Sequence, residues 1–376
     1  MKRDIAIDYL RSSVIAAVVA HHSALAYTTF SRYNPADYTT STAPVVDSVR
    51  FAPLDVLVSW NDIFFMSLMF LISGLFVAPS ILRKGVGRFL ADRAKRLGIP
   101  FVAAITLVSP IAFYPSWLLS DSAGEGDFLT SFFSANTWTP GPAWFIWVLL
   151  NFSILVGIAY RLIPDLMKKL SWTAGSSGSL IVVVLAVNIL ATVPVHIFLA
   201  HREWVRLAGP LQFPASRSLL YLTWFLLGIA LGTANPERSL SRENLRLWPL
   251  WLMIGAAGFA VHAALLSGKY PADTPPWMVK LILSTAFSFC CSFTCLASLG
   301  LARSLFQTKW AAADSFSENA YGIYIFHYGF VTWLQFVLLA QPMPAWVKFL
   351  VTCSVALAAS WFLSALLHKT TARKVL

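Results

Sequence analysis

Long apolar segments alternate with shorter polar stretches along the whole chain. Each apolar segment is long enough, or nearly so, to cross the ~30 Å hydrocarbon core of a bilayer as a helix. The pattern therefore predicts an all-α integral membrane protein with about ten transmembrane helices in a single domain over residues 1–376. The predicted helices cover residues 9–29, 57–78, 97–113, 143–163, 179–199, 218–234, 247–266, 279–302, 319–340 and 345–367.

Composition supports this class of protein. The chain is 57% hydrophobic and only 12% charged, and its mean hydropathy is +0.67. A water-soluble fold does not accommodate so apolar a sequence. We therefore expect one membrane domain without a soluble module.

The formal net charge of +11 would point to nucleic acid in a soluble protein, but here the charges follow the predicted topology. Lys and Arg concentrate near both termini and in the loops after the even-numbered helices, whereas the loop from Trp117 to Pro142 contains none. By the positive-inside rule, both termini are predicted to be cytoplasmic and this loop to face outward. We expect membrane lipids around the chain and no nucleic acid as a partner.

The first apolar segment could also be interpreted as a secretory signal peptide. Lys2 and Arg3 precede it, and the sequence at 24–26 resembles a cleavage site. Acidic Asp4 and Asp8 near its start and two histidines within it are atypical of such a peptide. We therefore predict that it stays as the first helix.

Arg11 and His22 lie eleven residues apart on this first helix. That spacing returns to within roughly 20° of the same helix face and spans about 16 Å along the axis. His22 either packs between helices or acts as a general base, because a buried imidazole is costly unless it is used. Arg11 either reaches the headgroups or grips an anion, with Asp8 one turn earlier to orient it.

The segment from Arg83 to Arg96 is strongly basic and amphipathic. Arg93, Lys95 and Arg96 are either charges of the cytoplasmic loop or ligands for phosphate groups. With Arg11 they could anchor the phosphate-rich head of a donor whose long arm reaches His22. Coenzyme A has this shape.

Other candidate residues lie on later helices. Asp62 is interpreted as a residue on the acceptor side or as an interfacial cap, and Glu318 as a second carboxylate or a helix-terminal charge. His327, one turn after Tyr324, either lines the catalytic channel or makes a core hydrogen bond. Among the tryptophans, Trp138 and Trp144 could stack on sugar faces or anchor the membrane interface.

The four cysteines give no sign of a metal site. They lie within predicted helices and have neither CxxC nor zinc-ligand spacing. We expect them to pack in the core and expect no metal ion in the reaction.

Five motifs in order resemble those of the acyltransferase 3 family, particularly its branch similar to glucan biosynthesis protein C. They are Asp8-Tyr9-Leu10-Arg11 with His22, FFMSLMFLISGLF with Ser73-Gly74, Arg93-Ala94-Lys95-Arg96, GPAWFIWVLLNF around Trp144, and SENAYGIYIFHYGF around Tyr324 and His327. The family's Arg-x10-His pair falls on Arg11 and His22, and its RxxR motif falls on Arg93 and Arg96. The chain shows no SGNH hydrolase domain, and its fourth helix lacks the acidic motif of another branch.

The resemblance implies an enzyme of the bacterial inner membrane that transfers an acyl group from cytoplasmic acyl-CoA to a hydroxyl of a glycan or glycolipid. In this hypothesis His22, Arg11, Asp62 and His327 are catalytic. Acetyl-CoA is the expected donor, and succinyl transfer is a variant. The donor site combines the residues Arg11, Arg93, Lys95, Arg96 and Tyr324. The rival interpretation is a transporter or flippase for a glycan or lipid with an intramembrane proton relay, and the sequence leaves the oligomeric state open.

Overall fold

A computed structural model describes residues 4–124, 126–174, 176–199, 203–234 and 236–376. These residues form a helical bundle with one short antiparallel hairpin, in which β1 (Trp204–Ala208) pairs with β2 (Leu211–Pro214). The helices are α1 (Ile5–Leu25), α2 (Pro53–Leu75), α3 (Val77–Lys84), α4 (Val86–Arg93), α5 (Ile99–Ala103), α6 (Ser109–Leu118), α7 (Phe128–Phe132), α8 (Trp144–Leu162), α9 (Leu166–Leu170), α10 (Ser177–Phe198), α11 (Ala215–Thr233), α12 (Pro236–Ser239), α13 (Trp248–Leu266), α14 (Pro276–Leu305), α15 (Ala311–Leu338) and α16 (Ala345–Leu367).

Each of the ten predicted segments corresponds to helix, and the all-α integral membrane class is confirmed. Within the described ranges, 8 helical runs are long and apolar enough to cross a membrane. Helices α1 and α15 have spanning length but are not among these, and both carry several charged or histidine side chains. They pack against each other inside the bundle, and α1 also contacts α2, α14 and α16.

The start of α1 and the end of α16 lie at the same end of the bundle, as the topology predicts. Arg303, at the end of α14, forms a bidentate ion pair with Asp4, with N–O distances of 2.8 and 2.7 Å. Ser364, near the end of α16, donates a hydrogen bond to Asn319 of α15 at 2.9 Å. Because the charge distribution assigns this end to the cytoplasm, we call it the cytoplasmic end and the other the outer end.

The third predicted helix, at 97–113, is too short. The structure has one helical run from Val86 to Leu118, so the basic segment is its first part. This run contains π-helical turns at Ala94–Gly98 and Ala104–Val108. Each precedes a proline, Pro100 or Pro110, which cannot donate the helical hydrogen bond and crowds the preceding turn. The wide turns accommodate both prolines without ending the helix.

Helices α2 and α11 approach each other at glycine. A Cβ atom on Gly228 would lie 2.2 Å from the carbonyl oxygen of Leu71, and one on Gly74 would lie 2.2 Å from that of Phe225. Small residues at such crossings let membrane helices pack backbone to backbone. Gly74 belongs to the Ser73-Gly74 motif, so this motif serves helix packing.

Gly228→Ala should lower the free energy of unfolding by about 1–3 kcal/mol, because the methyl group overpacks the crossing. Unfolding in mixed detergent micelles measures this change. Gly87→Ala is the matched control, since its Cβ would meet no atom within 4 Å. Equal stability of the Gly228→Ala protein and the wild type would rule out the close crossing.

Candidate active site

A cavity of about 220 Å³ in the outer half of the bundle contains His22. Helix α1 ends at Leu25, four residues earlier than predicted, so His22 lies in its last turn rather than deep in the bilayer. Pro142, in the 3-10 turn before α8, and Pro214, the last residue of β2, also line the cavity. The site is therefore closer to the outer surface than the sequence predicts.

His22 lies among aromatic rings of α1 and α15. Its ring centroid is 5.4 Å from that of His327, 5.0 Å from that of Tyr328 and 5.2 Å from that of His21. Nδ1 of His22 is buried and has no hydrogen-bond partner among the described residues. His21 also lines the cavity, and its ring lies 5.2 Å from that of Phe65 of α2.

His327 is fully buried beside His22. Its Nδ1 lies 2.7 Å from the backbone oxygen of Tyr324. Because a carbonyl only accepts, Nδ1 carries the proton, and Nε2 of the neutral ring is an acceptor. This Nε2 is also buried without a partner in the described part of the chain. Two adjacent imidazoles therefore each have a nitrogen available for a hydrogen bond.

The structure brings Tyr324 and Trp144 to the His22 cavity. The hydroxyl of Tyr324 donates to the backbone oxygen of Pro142, so this residue does not lie with Arg11, Arg93 and Arg96, with which the sequence grouped it. Trp144 stacks on Tyr221 with ring centroids 5.8 Å apart and meets Trp204 of β1 at 5.5 Å. These aromatic rings form part of the cavity wall.

Trp138 is not brought to this cavity. Its indole nitrogen donates to the backbone oxygen of Ile105 at 3.0 Å, and its ring packs edge-on against Phe133 at 5.3 Å. In this position Trp138 fastens the outer loop to the helical run from Val86 to Leu118. A sugar-binding role for it stays a prediction.

Asp62 lines the cavity and is paired with Arg217 of α11. The Nη2 atom of Arg217 lies 2.8 Å from Oδ2 of Asp62, and Nη1 donates to the Asp62 backbone oxygen at 2.8 Å. Asp62 lies nine residues, about 14 Å, inside α2, which begins at Pro53. The interfacial-cap interpretation of Asp62 is therefore wrong.

Sequence reasoning missed Arg217. It was assigned to an outer loop, one residue before the predicted helix at 218–234, but α11 begins at Ala215 and buries its side chain. The guanidinium also lies over the ring of Phe287, 5.4 Å from the centroid. The sequence did offer one signal for this pair: Arg217 stands at the edge of one apolar run, and Asp62 lies inside another.

A second cavity, of about 560 Å³, opens at the cytoplasmic end, and we call it the mouth. It brings together three predicted donor-site residues, Arg11, Arg93 and Arg96, from α1 and the basic segment. Arg83 and Lys84 also line it. Three carboxylates lie there too, those of Asp4, Asp8 and Asp92.

Most of these carboxylates already have cationic partners. Asp4 is held by Arg303 and Asp92 by Lys84, while Asp8 lies 3.9 Å from Arg11. That last separation is too long for a hydrogen bond, so Asp8 orients Arg11 only weakly. The positive charges of Arg11, Arg93 and Arg96 are therefore only partly balanced by the carboxylates of the mouth, which favours an anion there.

Four predicted candidates line neither cavity: His327, Trp138, Lys95 and Glu318. Lys95 is exposed and does not line the mouth, and Glu318 is exposed near the cytoplasmic start of α15. The structure therefore does not bring Glu318 to His22. Lys95 keeps only its general contribution to the positive charge.

The two cavities are separate in this structure. Along α1 the mouth ends at Arg11 and the outer cavity begins at Val18, about 10 Å further. Three apolar side chains are buried between the two cavities, those of Val14 and Ile15 from α1 and Met69 from α2. A molecule that connects both cavities has to displace these apolar side chains.

A pair of histidines at an outer cavity, with a basic cavity at the opposite end of the same bundle of membrane-spanning helices, is an arrangement suited to a multi-pass membrane enzyme. Residues 4–365 match the family model Acyl_transf_3, described as an acyltransferase domain. The chain therefore belongs to the acyltransferase 3 family and is a membrane acyltransferase. Comparison with curated proteins and with solved structures gave no match. The likeness to the glucan biosynthesis protein C branch stays a prediction.

Proposed function

We propose that the protein transfers an acyl group from cytoplasmic acyl-CoA to a hydroxyl of a glycan or glycolipid at the outer side of the bacterial inner membrane. The observation that carries this proposal is the placement of Arg11 and His22 on one uninterrupted helix, each lining a different cavity. Their separation of about 16 Å along α1 suits a donor with an anionic head and a long thin arm. Acetyl-CoA is the expected donor, and the acyl group could also be succinyl.

At the mouth, Arg11, Arg93 and Arg96 bind the donor phosphates, since guanidinium groups match phosphate oxygens in charge and geometry. The arm lies along α1 between the two cavities and displaces the apolar side chains there. The thioester then sits beside His22. Binding at the mouth thus positions the reacting carbon without any covalent link to the protein.

His22 removes the proton from the acceptor hydroxyl while the oxygen attacks the thioester carbonyl. The carbon–sulfur bond breaks, an ester forms, and His22 returns the proton to the leaving thiolate. His327 acts as a positioning residue, because its Nε2 can accept a hydrogen bond from the Nδ1–H of His22. This tautomer leaves Nε2 of His22 as the base.

On the acceptor side, Trp144 offers an apolar ring for a sugar face, and the Asp62–Arg217 pair offers polar groups for hydroxyls. These residues line the same cavity as His22. The acceptor hydroxyl therefore reaches the base from the outer side.

Arg11→Ala should weaken acyl-CoA binding. Ligand at one hundred times its Kd stabilises the wild type by about 2.7 kcal/mol, and the variant should lose most of this gain. Thermal unfolding with and without acetyl-CoA measures it. Arg88→Ala is the matched control, since Arg88 is an exposed arginine of the same segment outside the mouth.

A wild-type protein that acetyl-CoA and succinyl-CoA fail to stabilise at saturating concentration would contradict the proposed donor site. That result would favour the rival function, a transporter that uses the buried polar groups as a proton relay. Equal stabilisation of Arg11→Ala and wild type would instead show that Arg11 does not bind the donor, while acyl-CoA would still be the donor.

A further inference from the structure

A third cavity, of about 740 Å³, forms a lateral groove between α2 and α13 in the outer half of the bundle. Helix α13 packs mainly on α14, and α2 also packs on α14, so the two helices leave a cleft between them. Val56 of α2 and Leu266 of α13 line this groove and are largely exposed. The groove therefore opens sideways, toward the lipid of the outer leaflet.

The groove adjoins the His22 cavity. Both are lined by the same four residues, Phe30, Thr42, Asp62 and Arg217. The Asp62–Arg217 ion pair thus stands between the groove and the cavity. A molecule that moves from the lipid toward His22 by this path passes that pair.

The lining of the groove is mixed along its depth. At the outer end polar Asp55 and Ser267 adjoin apolar Val56 and Leu266, and deeper in Ile63 and Phe259 lie beside the Asp62–Arg217 pair. Asp55 is held there by the backbone N–H of Thr29 at 2.8 Å. Polar and apolar walls together suit a molecule that has both a polar head and a hydrocarbon chain.

Arg217 has bonding capacity left for such a head. Its side chain is only 7% exposed, and its Nε is buried without an acceptor in the described part of the chain. A buried guanidinium N–H without a partner is costly, and a hydroxyl or phosphate oxygen of a passing head group would satisfy it.

We propose that the acceptor is an amphiphile of the outer leaflet, a glycan attached to a hydrocarbon anchor, which enters sideways through the α2–α13 groove. This inference rests on the proposed function and names its acceptor class. The hydrocarbon anchor stays between Val56 and Leu266, in contact with lipid. The sugar head passes the Asp62–Arg217 pair and presents its hydroxyl to His22. A soluble glycan would need no lateral apolar path.

Photo-crosslinking tests occupancy of the groove without requiring catalysis. The probe is a dodecyl maltoside with a diazirine in its alkyl chain, added to the full-length protein in lipid nanodiscs. We expect crosslinks on the groove faces of α2 and α13. Ala263→Trp should lower their yield about tenfold, because Ala263 lines the groove. Ala260→Trp is the control, since Ala260 is exposed on the same helix and does not line it.

Crosslinks spread over the whole lipid-facing surface would overturn the inference, as would equal yields from the two variants. Competition by dioleoylphosphatidylcholine as strong as that by unlabelled dodecyl maltoside would also overturn it, since the groove would then hold ordinary lipid. Preferential competition by the glycoside would support it.

Transfer of radiolabel from acetyl-CoA separates this inference from the proposed function. The acceptors offered are the total lipid extract and the water-soluble glycan fraction of the host cells. Label in the lipid extract that falls about tenfold in Ala263→Trp, with acetyl-CoA binding unchanged, supports the inference. Label only in the soluble fraction overturns it and leaves the proposed function standing. No label in either fraction, with succinyl-CoA also inactive, overturns both.

Discussion

Replacing His22 with alanine lowers the acyl-transfer rate by about 10² to 10⁴, the usual contribution of a general base. The hydroxyl then has to lose its proton to water instead of to a positioned imidazole. Neighbouring His327 does not substitute for His22, because it does not line the cavity that receives the acceptor hydroxyl. The expected defect is in kcat, with donor binding unchanged.

Label transfer from acetyl-CoA, measured alongside donor-induced stabilisation, checks this expectation. His21→Ala is the comparison variant, since it removes an adjacent imidazole that lines the same cavity but packs against Phe65 of α2. That variant should keep most of the wild-type rate. If His21→Ala abolished transfer while His22→Ala preserved it, the assignment of the base would have to move by one residue.

Replacing Lys348 with methionine lowers the free energy of unfolding by about 3–5 kcal/mol, because it leaves a buried carboxylate without its partner. Nζ of Lys348 lies 2.7 Å from Oδ2 of Asp47, and their side chains are 0% and 2% exposed. Asp47 also donates its backbone N–H to Ala26, just after α1. The pair therefore joins α16 to the loop that follows the His22 helix.

Unfolding in mixed micelles compares this variant with the double variant Asp47→Asn, Lys348→Met. The double variant should recover much of the loss, because it removes both buried charges and avoids an unpaired one. A double variant that is less stable than Lys348→Met would contradict this explanation. It would mean that the Asp47 carboxylate stabilises the protein even without Lys348, through the hydrogen bond it accepts from the backbone N–H of Val49 at 3.0 Å.

Much of the fold could be predicted from the sequence because apolar run length directly reports membrane-spanning helices. Helix ends were less accurate, as in the helical run from Val86 to Leu118, where prolines are accommodated by π-helical turns that no apolar pattern reveals. The β1–β2 hairpin was not predicted. Its short strands carry little hydrophobic periodicity.

The candidate site was predicted in part. The spacing of Arg11 and His22 predicted their separation along one helix, since helix geometry fixes that relation, but it did not predict that His22 lies in the last turn of α1. The partners of each residue were not predictable, because they come from other helices. Arg217 beside Asp62, Trp204 beside Trp144 and the paired rings of His22 and His327 all depend on tertiary packing.

Mass spectrometry of envelope glycans and lipids, in host cells that carry either the wild type or His22→Gln, tests the central claim most directly. We predict that one glycan or glycolipid carries an added acyl mass with the wild type and loses only that mass with the variant. The same acyl mass at wild-type level with His22→Gln would contradict acyl transfer by this histidine. Retention of the acyl mass with loss of the whole glycan from the outer side would instead identify a transporter.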